Sequence, residues 1–354
     1  MINTIQIKKG LDISLKGEPA PIIKKVDALL YAVKPTDFDG VFPKLAVSEG
    51  DRVEAGSVLF HDKKHPELLF TSPISGIIKE IRRGDKRVIT EIVIEPDGKF
   101  SSLDFGAADP LKIDKLELIE KLCLSGLWTT IRKRPFSVIA NFAQPPKAIF
   151  VSAFDSAPLA PDYNLAIKLN AAMFQNGLNA LSRLAPLYLN INANNKCDEL
   201  LRMNNVVVTQ FVGPHPAGNV GTQINKLSPI NKGEVVWYCN PQDVIIIGKL
   251  FATGSYDSTR LIALTGSEVV EPCYLQTHTG AQITRFTLNN VTGVDKRFIS
   301  GNVLTGSQIQ SDGFLGFYDN QLTIIPEGYH HELFGWLLPG LKKYSTCPIR
   351  YQRL

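Results

Sequence analysis

The spacing of hydrophobic residues along the chain divides it into three regions with different patterns. Over the first hundred residues the apolar runs are short and are separated by glycine turns, which is typical of β structure. From about residue 111, apolar strands alternate with amphipathic segments, and this alternation favours a parallel, Rossmann-like sheet. From residue 254 short strands and turns dominate again, which predicts a compact α+β module of the β-grasp type.

Helical periodicity is clearest just after a linker rich in small and acidic residues. In residues 111–124 apolar positions, among them Leu116, recur every three to four residues, and Gly126 supplies a stop. A second helix is predicted over residues 162–177, with Asp162 near its cap. A third, short helix is expected over residues 198–203.

Apolar runs with many β-branched residues predict the strands of the same region and of the module that follows. In the α/β region the predicted strands are residues 147–153, 184–189, 206–212, 235–238 and 244–248. In the following module they are residues 260–266, an edge strand over 269–275 broken by Pro272, a turn and then a strand over 299–306, and strand character within 313–325.

The stretch that organises the chain is residues 206–224, which read VVVTQFVGPHPAGNVGTQI. A buried strand ends here in a loop containing Gly213, Gly218 and Gly221, and α/β proteins often place ligands at such points. The spacing fits neither a dinucleotide fingerprint nor a P-loop. Two interpretations stay open: a binding loop, or a rigid turn that lets neighbours pack closely. His215 could orient a polar ligand, but it is a poor metal ligand because no second ligand lies at suitable spacing.

Two patterns in the first hundred residues resemble the halves of a biotinyl or lipoyl carrier domain. They are residues 49–59, EGDRVEAGSVL, and residues 73–81, PISGIIKEI. The resemblance implies a flattened barrel-sandwich. Carriers present a lysine flanked by methionine between the two halves, whereas this chain has Lys63 and Lys64 without methionine. We therefore interpret both lysines as solvated charges, and the barrel as scaffolding.

Composition narrows the class of protein. The chain has 354 residues, 44% of them hydrophobic, and a net charge of +4, which is too weakly basic to argue for nucleic acid. The five cysteines form no CxxC pair, so a zinc ribbon or a ferredoxin-type cluster is excluded and a reducing compartment is indicated. The start is not a signal peptide, and no apolar run is long enough to span a membrane.

Two basic clusters and an apolar end are the remaining features. Residues 82–87 and residues 132–134 could face anionic lipid or a partner, but we interpret both as solvated surface. Residues 333–339 are too apolar for a free tail, which suggests a burial partner outside the chain.

Five stretches together resemble the A subunit of the sodium-translocating NADH:quinone oxidoreductase family, and the match runs in order along the whole chain. The stretches are residues 8–12, 70–73, 213–222, 300–304 and 332–336. The resemblance implies a peripheral subunit on the cytoplasmic face of the bacterial inner membrane, in a complex that oxidises NADH, reduces ubiquinone and exports sodium. Its partners would be the other, chiefly membrane, subunits. Family members usually extend further at the carboxyl end.

On this resemblance the chain divides into a barrel-sandwich domain at residues 1–100, a Rossmann-like α/β domain at 108–252 and a β-grasp, SLBB-like domain at 254–312. Residues 313–354 begin a carboxyl-terminal region.

The family is also similar to the flavin-carrying, NADH-binding subunit of respiratory complex I. The stretch in the position of that subunit's glycine-rich FMN loop is residues 125–132. Here Trp128, Ile131 and Arg132 replace glycines, so the backbone could not cradle a flavin phosphate closely. We expect a degenerate redox fold with no flavin, metal or iron–sulfur centre and no catalytic residue of its own, while NADH, flavins and iron–sulfur centres belong to other subunits.

A ubiquinone-binding role, associated with the family, gives the candidate site residues His215, Phe211, Trp128 and Phe154, with core packing as the alternative for each aromatic ring. Two other functions remain open. One is an independent flavin- or nucleotide-binding oxidoreductase related to the complex I subunit, and the other is a biotin or lipoyl carrier.

Overall fold

The structure is a computed structural model that describes residues 3–194, 197–329 and 333. Its strands, in chain order, are β1 Asn3–Gln6, β2 Ile23–Lys25, β3 Tyr31–Val33, β4 Pro43–Leu45, β5 Arg52–Val53, β6 Val58–Asp62, β7 Leu69–Thr71, β8 Gly76–Arg83, β9 Ile89–Pro96, β10 Arg132–Arg134, β11 Val138–Ile139, β12 Ile149–Ser152, β13 Leu187–Asn192, β14 Val207–Val212, β15 Val236–Cys239, β16 Thr259–Thr265, β17 Cys273–His278, β18 Lys296–Ser300, β19 Ser307–Ile309 and β20 Gln321–Pro326. Its α-helices are α1 Lys115–Leu124, α2 Tyr163–Leu169, α3 Ala171–Ser182, α4 Asp198–Leu201, α5 Val220–Leu227, α6 Pro241–Thr253 and α7 Thr284–Thr287.

Two small antiparallel sheets form the barrel-sandwich domain, one in the order β3-β9-β8-β5 and the other in the order β4-β6-β7. Aromatic rings pack on one face of the second sheet. Phe60 and Phe70 stack with their ring centroids 4.3 Å apart, and Phe38 meets Phe70 edge-on at 4.6 Å. All three side chains are buried. The predicted barrel-sandwich fold is confirmed.

The hairpin between β6 and β7 is where a carrier domain would present its modifiable lysine. Lys63 and Lys64 are both exposed there. The Asp62 carboxylate accepts hydrogen bonds from the Phe42 and Lys64 amides at 3.0 and 3.3 Å, and the Lys64 ammonium lies 4.2 Å from the centroid of the Phe42 ring. Local packing thus accounts for the shape of this hairpin.

Seven strands form the central sheet, in the order β1-β14-β13-β12-β15-β10-β11. Strands β12 to β15 and β1 are parallel, and β10 and β11 continue the sheet in antiparallel pairing. The chain passes from β12 to β13 to β14 and then returns to place β15 on the other side of β12. The predicted Rossmann-like sheet is confirmed, and its switch point lies between β12 and β15.

The strand predicted over residues 244–248 is wrong, because this run lies inside α6. The helix begins at Asn240, whose side-chain oxygen accepts a hydrogen bond from the Gln242 amide at 3.0 Å, and Pro241 occupies its first turn. Helix α6 packs against α2, α3 and β16. A helix buried on nearly every side is apolar at nearly every position, so periodicity cannot distinguish it from a strand.

The helix predicted over residues 111–124 exists, but its start and its buried face differ from the prediction. Asp114 is the N-cap, and its carboxylate accepts a hydrogen bond from the Leu116 amide at 2.8 Å. Leu116 itself is 76% exposed, whereas Leu118 and Leu122 are fully buried. The helix therefore turns the 118–122 ridge toward the core.

The single helix predicted over residues 162–177 is two helices, α2 and α3. Asp162 caps α2 as predicted, accepting a hydrogen bond from the Asn164 amide at 3.0 Å. The break falls at Asn170, where φ is −133° and ψ is 33°. The Asn170 side chain donates a hydrogen bond to the Ala166 carbonyl at 3.0 Å, so it competes with the helical backbone and favours a new start.

Six strands form the β-grasp-type sheet, in the order β19-β18-β20-β16-β17-β2. The edge strand predicted over residues 269–275 is wrong, because β17 is paired on both sides, by β16 and by β2. Pro272 only precedes the strand, where no ladder bond is needed. Residues 299–306 also run in the opposite order to the prediction, since β18 ends at Ser300 and the turn follows.

Two early strands tie the parts of the chain together. Strand β1 pairs with β14 of the central sheet, and β2 pairs with β17 of the β-grasp-type sheet, although both precede the barrel in sequence. Strand β20, which follows residue 312, lies between β18 and β16. Of the apolar stretch at residues 333–339, only Leu333 lies within the described residues, and it is exposed.

A buried ion pair joins the central domain to the β-grasp-type sheet. The Arg260 guanidinium on β16 donates to the Asp243 carboxylate on α6 at 2.5 Å, and both side chains are almost fully buried. Arg260 also donates to the Thr279 hydroxyl at 2.8 Å. The Gln242 amide group bonds both the amide and the carbonyl of Leu261, so α6 is fixed to β16 by polar as well as apolar contacts.

Candidate functional site

A cleft of about 690 Å³ opens at the carboxyl ends of β12 and β15. The residues that follow these strands, Phe154 and Asn240, lie in its wall. Parallel sheets bind ligands at such a switch point, because the loops leaving the two strands run in opposite directions and leave a crevice. The volume falls in the range of small-molecule sites. We refer to this cavity as the switch-point cleft.

A buried polar network fixes the floor of the switch-point cleft. The Ser152 hydroxyl donates a hydrogen bond to the Phe154 carbonyl at 2.8 Å and accepts one from the Gln223 side chain at 2.8 Å. Gln223 in turn accepts from the Asn190 side chain at 2.9 Å. These bonds connect β12, β13 and α5, so the floor is rigid before any ligand arrives.

The three glycines of the predicted loop have different roles. A Cβ on Gly213, where φ is +135°, would lie 2.2 Å from the Ile7 carbonyl oxygen, and a Cβ on Gly218 would lie 2.5 Å from the Ser156 nitrogen. These two positions need glycine for close packing. Gly221 lies in the cleft wall, and a Cβ there would meet no atom within 4 Å. The rigid-turn interpretation therefore fits the first two glycines, whereas Gly221 leaves the backbone open to a ligand.

His215 lies in the wall of the switch-point cleft and is held at both ends. Its Nδ1 is 3.0 Å from the Ser156 hydroxyl, which also accepts a hydrogen bond from the Gly218 amide at 2.9 Å. The His215 amide donates to the Asp12 carboxylate at 2.8 Å, and its carbonyl accepts from the Leu11 amide at 2.9 Å. The ring therefore presents its Nε2 edge from a fixed position.

The segment at residues 8–12 packs beneath the loop that carries His215. This packing explains why Gly10 and Asp12 occupy their positions in the segment. A Cβ on Gly10 would lie 2.0 Å from the His215 carbonyl oxygen, so no other residue fits there without displacement. Asp12 supplies the carboxylate that orients the His215 backbone.

Arginine and tyrosine side chains line another part of the cleft, which we call the basic wall: Arg132, Arg134, Tyr238 and Tyr318. The Arg132 guanidinium lies 4.1 Å from the centroid of the Tyr318 ring and 4.8 Å from that of Tyr238. The Arg134 guanidinium lies 5.1 Å from the same Tyr238 ring. Our interpretation of residues 132–134 as solvated surface is wrong for these two arginines, which are half-buried in the cleft.

Strand pairing explains why the arginines face the cleft. Arg132 is the cross-strand partner of Tyr238, and Arg134 that of Val236, so all four side chains share one face of the sheet. Lys133 points to the other face and lines a separate cavity of about 200 Å³. The sequence alone does not show that Arg132 and Arg134 face the cleft while Lys133 faces away, because this depends on the pairing of β10 with β15.

Two carboxylates also line the switch-point cleft. Burial raises the pKa of the Asp155 carboxyl, although its side chain accepts a hydrogen bond from the Ala157 amide at 2.9 Å. Asp319 accepts a hydrogen bond from the Ser300 hydroxyl at 2.6 Å. Neither forms an ion pair with an arginine in the part of the chain that the structure describes, so the cleft holds separate cationic and anionic groups.

The four proposed quinone contacts fall into two groups. His215 and Phe154 line the switch-point cleft, with Phe154 only 7% exposed. Phe211 is fully buried and packs behind Phe154. Trp128 is fully buried in the main core, away from the cleft wall.

Trp128 belongs to a single 3₁₀ turn, Leu127–Thr130. Its indole N–H donates a hydrogen bond to the Ala140 carbonyl at 2.7 Å, and its ring meets Trp237 edge-on at 5.5 Å. All four residues of this turn are buried, so its backbone amides are not open to a ligand. The next residues, by contrast, bring Arg132 to the cleft.

Among the described residues no group of three or more histidine, cysteine, aspartate or glutamate side chains could hold a metal ion. The described cysteines, Cys123, Cys197, Cys239 and Cys273, are buried free thiols. None of the described helices combines the length and the apolar character needed to cross a membrane.

Three family models match consecutive parts of the chain. Residues 5–97 match the NqrA N-terminal barrel-sandwich hybrid domain, residues 113–256 match the NqrA second alpha/beta domain, and residues 261–311 match the NQRA C-terminal domain, of SLBB type.

Curated relatives match over nearly the whole chain. The NqrA subunit of the Na(+)-translocating NADH-quinone reductase of Yersinia pestis is 40% identical over 347 residues, covering 96% of this chain and 77% of the relative. The Haemophilus influenzae protein is 40% identical over 350 residues, covering 97% and 78%, and that of Neisseria meningitidis is 41% identical over 347 residues, covering 96% and 77%. A solved NAD+-reducing [NiFe]-hydrogenase chain aligns with a TM-score of 0.37 at 13% identity over 52% of this chain and 41% of its own, which is too weak to support an argument.

Proposed function

Because the chain belongs to the NqrA family, a subunit family of the Na(+)-translocating NADH-quinone reductase, we propose that it contributes to ubiquinone reduction coupled to sodium export, as a peripheral subunit on the cytoplasmic face of the bacterial inner membrane. As a member of that oxidoreductase it has the other subunits of the complex as partners. We further propose that these partners are chiefly membrane subunits, that ubiquinone reaches this chain, and that the chain carries no flavin or iron–sulfur centre.

The observation that supports the quinone role is the composition of the switch-point cleft. Phe154 contributes an aromatic ring to the cleft wall, and His215 contributes a ring nitrogen held in place by Ser156. A quinone head group needs a flat apolar surface and a hydrogen-bond donor for its carbonyl oxygen. His215 would donate to that oxygen, and Phe211, from behind Phe154, would keep the aromatic wall in place.

The proposal that the chain holds no flavin is supported by the turn at Leu127–Thr130. A flavin phosphate bound in the manner of a glycine-rich loop requires open backbone amides. Here Trp128 fills that position and is fully buried against Trp237. The spectrum of the purified chain tests this point: no flavin absorbance is expected, and stoichiometric flavin would favour the alternative of an independent flavin-binding oxidoreductase.

Co-purification tests the placement in the complex. A tagged chain expressed with the other subunits should recover hydrophobic subunits from detergent-solubilised membranes, together with NADH-driven ubiquinone reduction. Recovery of the chain alone, under conditions that preserve the activity of the complex, would contradict the proposal.

A histidine variant tests the cleft itself. In the complex, His215→Ala should lower ubiquinone reduction while NADH oxidation by an artificial acceptor stays unchanged, because the variant removes the proposed donor to the quinone together with its Ser156 contact. His61→Ala is the matched control, since His61 lies on β6 in the barrel and not in the cleft. Equal effects of the two variants would argue against a quinone contact at His215.

A further inference from the structure

Two arginines in the switch-point cleft lack the partners that half-buried guanidinium groups normally have. Within the described residues neither Arg132 nor Arg134 forms an ion pair or donates a side-chain hydrogen bond, and the Arg134 Nε is fully buried without a partner. A buried N–H group without an acceptor is costly. We propose that the basic wall, together with the start of α5, binds a phosphate group, either as free phosphate or as part of a phosphate monoester.

The two guanidinium groups are held in place by the tyrosines, not by carboxylates. Arg132 lies between the rings of Tyr238 and Tyr318, and Tyr318 is itself anchored by its hydroxyl, which donates to the Thr129 carbonyl at 2.7 Å. Stacking on aromatic faces positions an arginine without using its five N–H donors. The donors thus stay available for a bidentate anion, which guanidinium groups match in geometry.

The beginning of α5 supplies a second set of donors on the same side of the sheet. Ile224 of α5 packs with Tyr238 and Val236, the face from which Arg132 and Arg134 project. Asn219, the N-cap, makes no side-chain capping bond. In the described chain the amides of Val220 and Gly221 have no acceptor, and the open space beside Gly221 lets an oxyanion reach them.

The negative charges of the cleft do not occupy this place. Asp319 is bound to the Ser300 hydroxyl, and Asp155 to the Ala157 amide, both outside ion-pair distance of either arginine. The buried Asp243 carboxylate acts on Arg132 electrostatically, but among the described residues no carboxylate lies within ion-pair distance of either guanidinium group of the basic wall. A tetrahedral oxyanion such as phosphate satisfies this donor set, because three of its oxygens can accept from both arginines and the amides at once.

The site goes beyond the proposed quinone role and does not depend on it. The cleft, at about 690 Å³, is far larger than a phosphate ion, so it also has room for the organic part of a monoester beside the aromatic rings. Occupation of the basic wall would place a negative charge in the same cleft as His215.

Isothermal titration calorimetry on the purified full chain tests the proposal without any quinone. The probes are inorganic phosphate, AMP as a soluble monoester, adenosine as its phosphate-free control, and vesicles containing phosphatidylglycerol. We expect saturable binding of phosphate and AMP but not of adenosine. Binding of the vesicles alone would place the site on a lipid surface and overturn a soluble ligand, and absence of saturable binding at millimolar phosphate and AMP would overturn the site.

Variants locate the site. Arg134→Gln should weaken phosphate binding at least tenfold, the loss expected for one charge-assisted contact. Lys133→Gln is the matched control, because it removes the same charge from the next residue on the opposite face of β10. Equal weakening by both variants would indicate only a general charge effect and would refute a built site.

A second variant keeps the test valid if Arg134→Gln fails to fold. Gly221→Asp introduces a carboxylate in the open space at the beginning of α5, where negative charge favours the helix. We expect this variant to fold and to lose phosphate binding, since the new carboxylate competes for the same donors. Unchanged phosphate affinity in Gly221→Asp would contradict the position assigned to the anion.

Discussion

The contact between α3 and α6 gives the sharpest prediction about stability, because two helical glycines let the helices touch. A Cβ on Gly248 would lie 1.7 Å from the Met173 carbonyl oxygen, and a Cβ on Gly177 would lie 1.9 Å from the Val244 carbonyl oxygen. Cβ atoms rarely approach other heavy atoms within 3.0 Å, so Gly248→Ala must separate the helices by about 1.3 Å. The prediction is that this single methyl group destabilises the central domain.

The magnitude follows from the contacts that the separation loosens. A gap of about 1 Å already forfeits roughly half of the dispersion energy between facing atoms, so a separation of about 1.3 Å forfeits at least that share where the helices cannot relax. Buried side chains of α3 such as Phe174 and Leu178 each contribute about 1.5–3 kcal/mol. Loosening several of them costs about 3 kcal/mol, while replacing glycine by alanine in a helix returns about 1 kcal/mol. We expect a net loss of about 2 kcal/mol.

Thermal unfolding followed by calorimetry measures this effect. A net loss of about 2 kcal/mol lowers the midpoint of the transition by roughly 4–8 °C for a domain of 150–250 residues. Gly221→Ala is the control, because Gly221 is also helical but its added methyl group would meet no atom within 4 Å. Its midpoint should stay equal or rise slightly. A Gly248→Ala midpoint equal to wild type, or an equal fall in both variants, would refute the close helix contact.

Three further predictions concern the buried polar groups. Asp243→Ala leaves the Arg260 guanidinium buried without its partner, and we expect the free energy of unfolding to fall by about 3–5 kcal/mol in urea titrations; a loss below about 1 kcal/mol would contradict it. Trp128→Phe removes the donor to the buried Ala140 carbonyl, so it should cost about 1–3 kcal/mol in the same assay, and no loss would mean that water replaces the indole. Burial lowers the pKa of His278, so the folded state disfavours the charged ring. The neutral His278 ring therefore contributes fully to stability above the unfolded pKa of about 6.5, and this contribution is lost as the pH falls through the lower folded pKa. The Tm measured from pH 8 to 5 should fall less in His278→Gln than in wild type. Parallel Tm curves for the two proteins would contradict the assignment.

The environment of His278 supports the sign of the last prediction. The Ser258 hydroxyl donates to the Pro73 carbonyl at 2.6 Å, so it can only accept from His278 Nδ1, 3.0 Å away. Asp257 favours the charged ring and Lys249 opposes it, but desolvation is the largest effect. The Phe100 ring stacks on the imidazole with the ring centroids 5.0 Å apart and covers part of it.

The sequence predicts the elements whose periodicity is local. The strand that ends at Val212 and the cap at Asp162 both depend on residues a few positions apart. The run at residues 244–248 is ambiguous for a physical reason, because a helix enclosed by other elements loses its polar face. The exposure of Leu116 likewise depends on which ridge of α1 meets the core, and spacing alone does not decide this.

The candidate site is less predictable, because it depends on pairing between distant strands. His215 and Phe154 lie beside strand ends, where ligands are expected, and the sequence suggests both. Arg132 and Arg134 look like a surface cluster until β10 is paired with β15, more than a hundred residues later. The pairing of β1 with β14, which places Asp12 beneath His215, is hidden for the same reason.

Photolabelling of the assembled complex with an azido-ubiquinone is the most direct test of the central claim, which is that the switch-point cleft of this protein receives the quinone. The account predicts labelled peptides from residues 152–157 and 214–219 of this chain, with labelling suppressed by excess ubiquinone and reduced by His215→Ala. Labels confined to other subunits, or to parts of this chain away from the cleft and insensitive to competing ubiquinone, would contradict it.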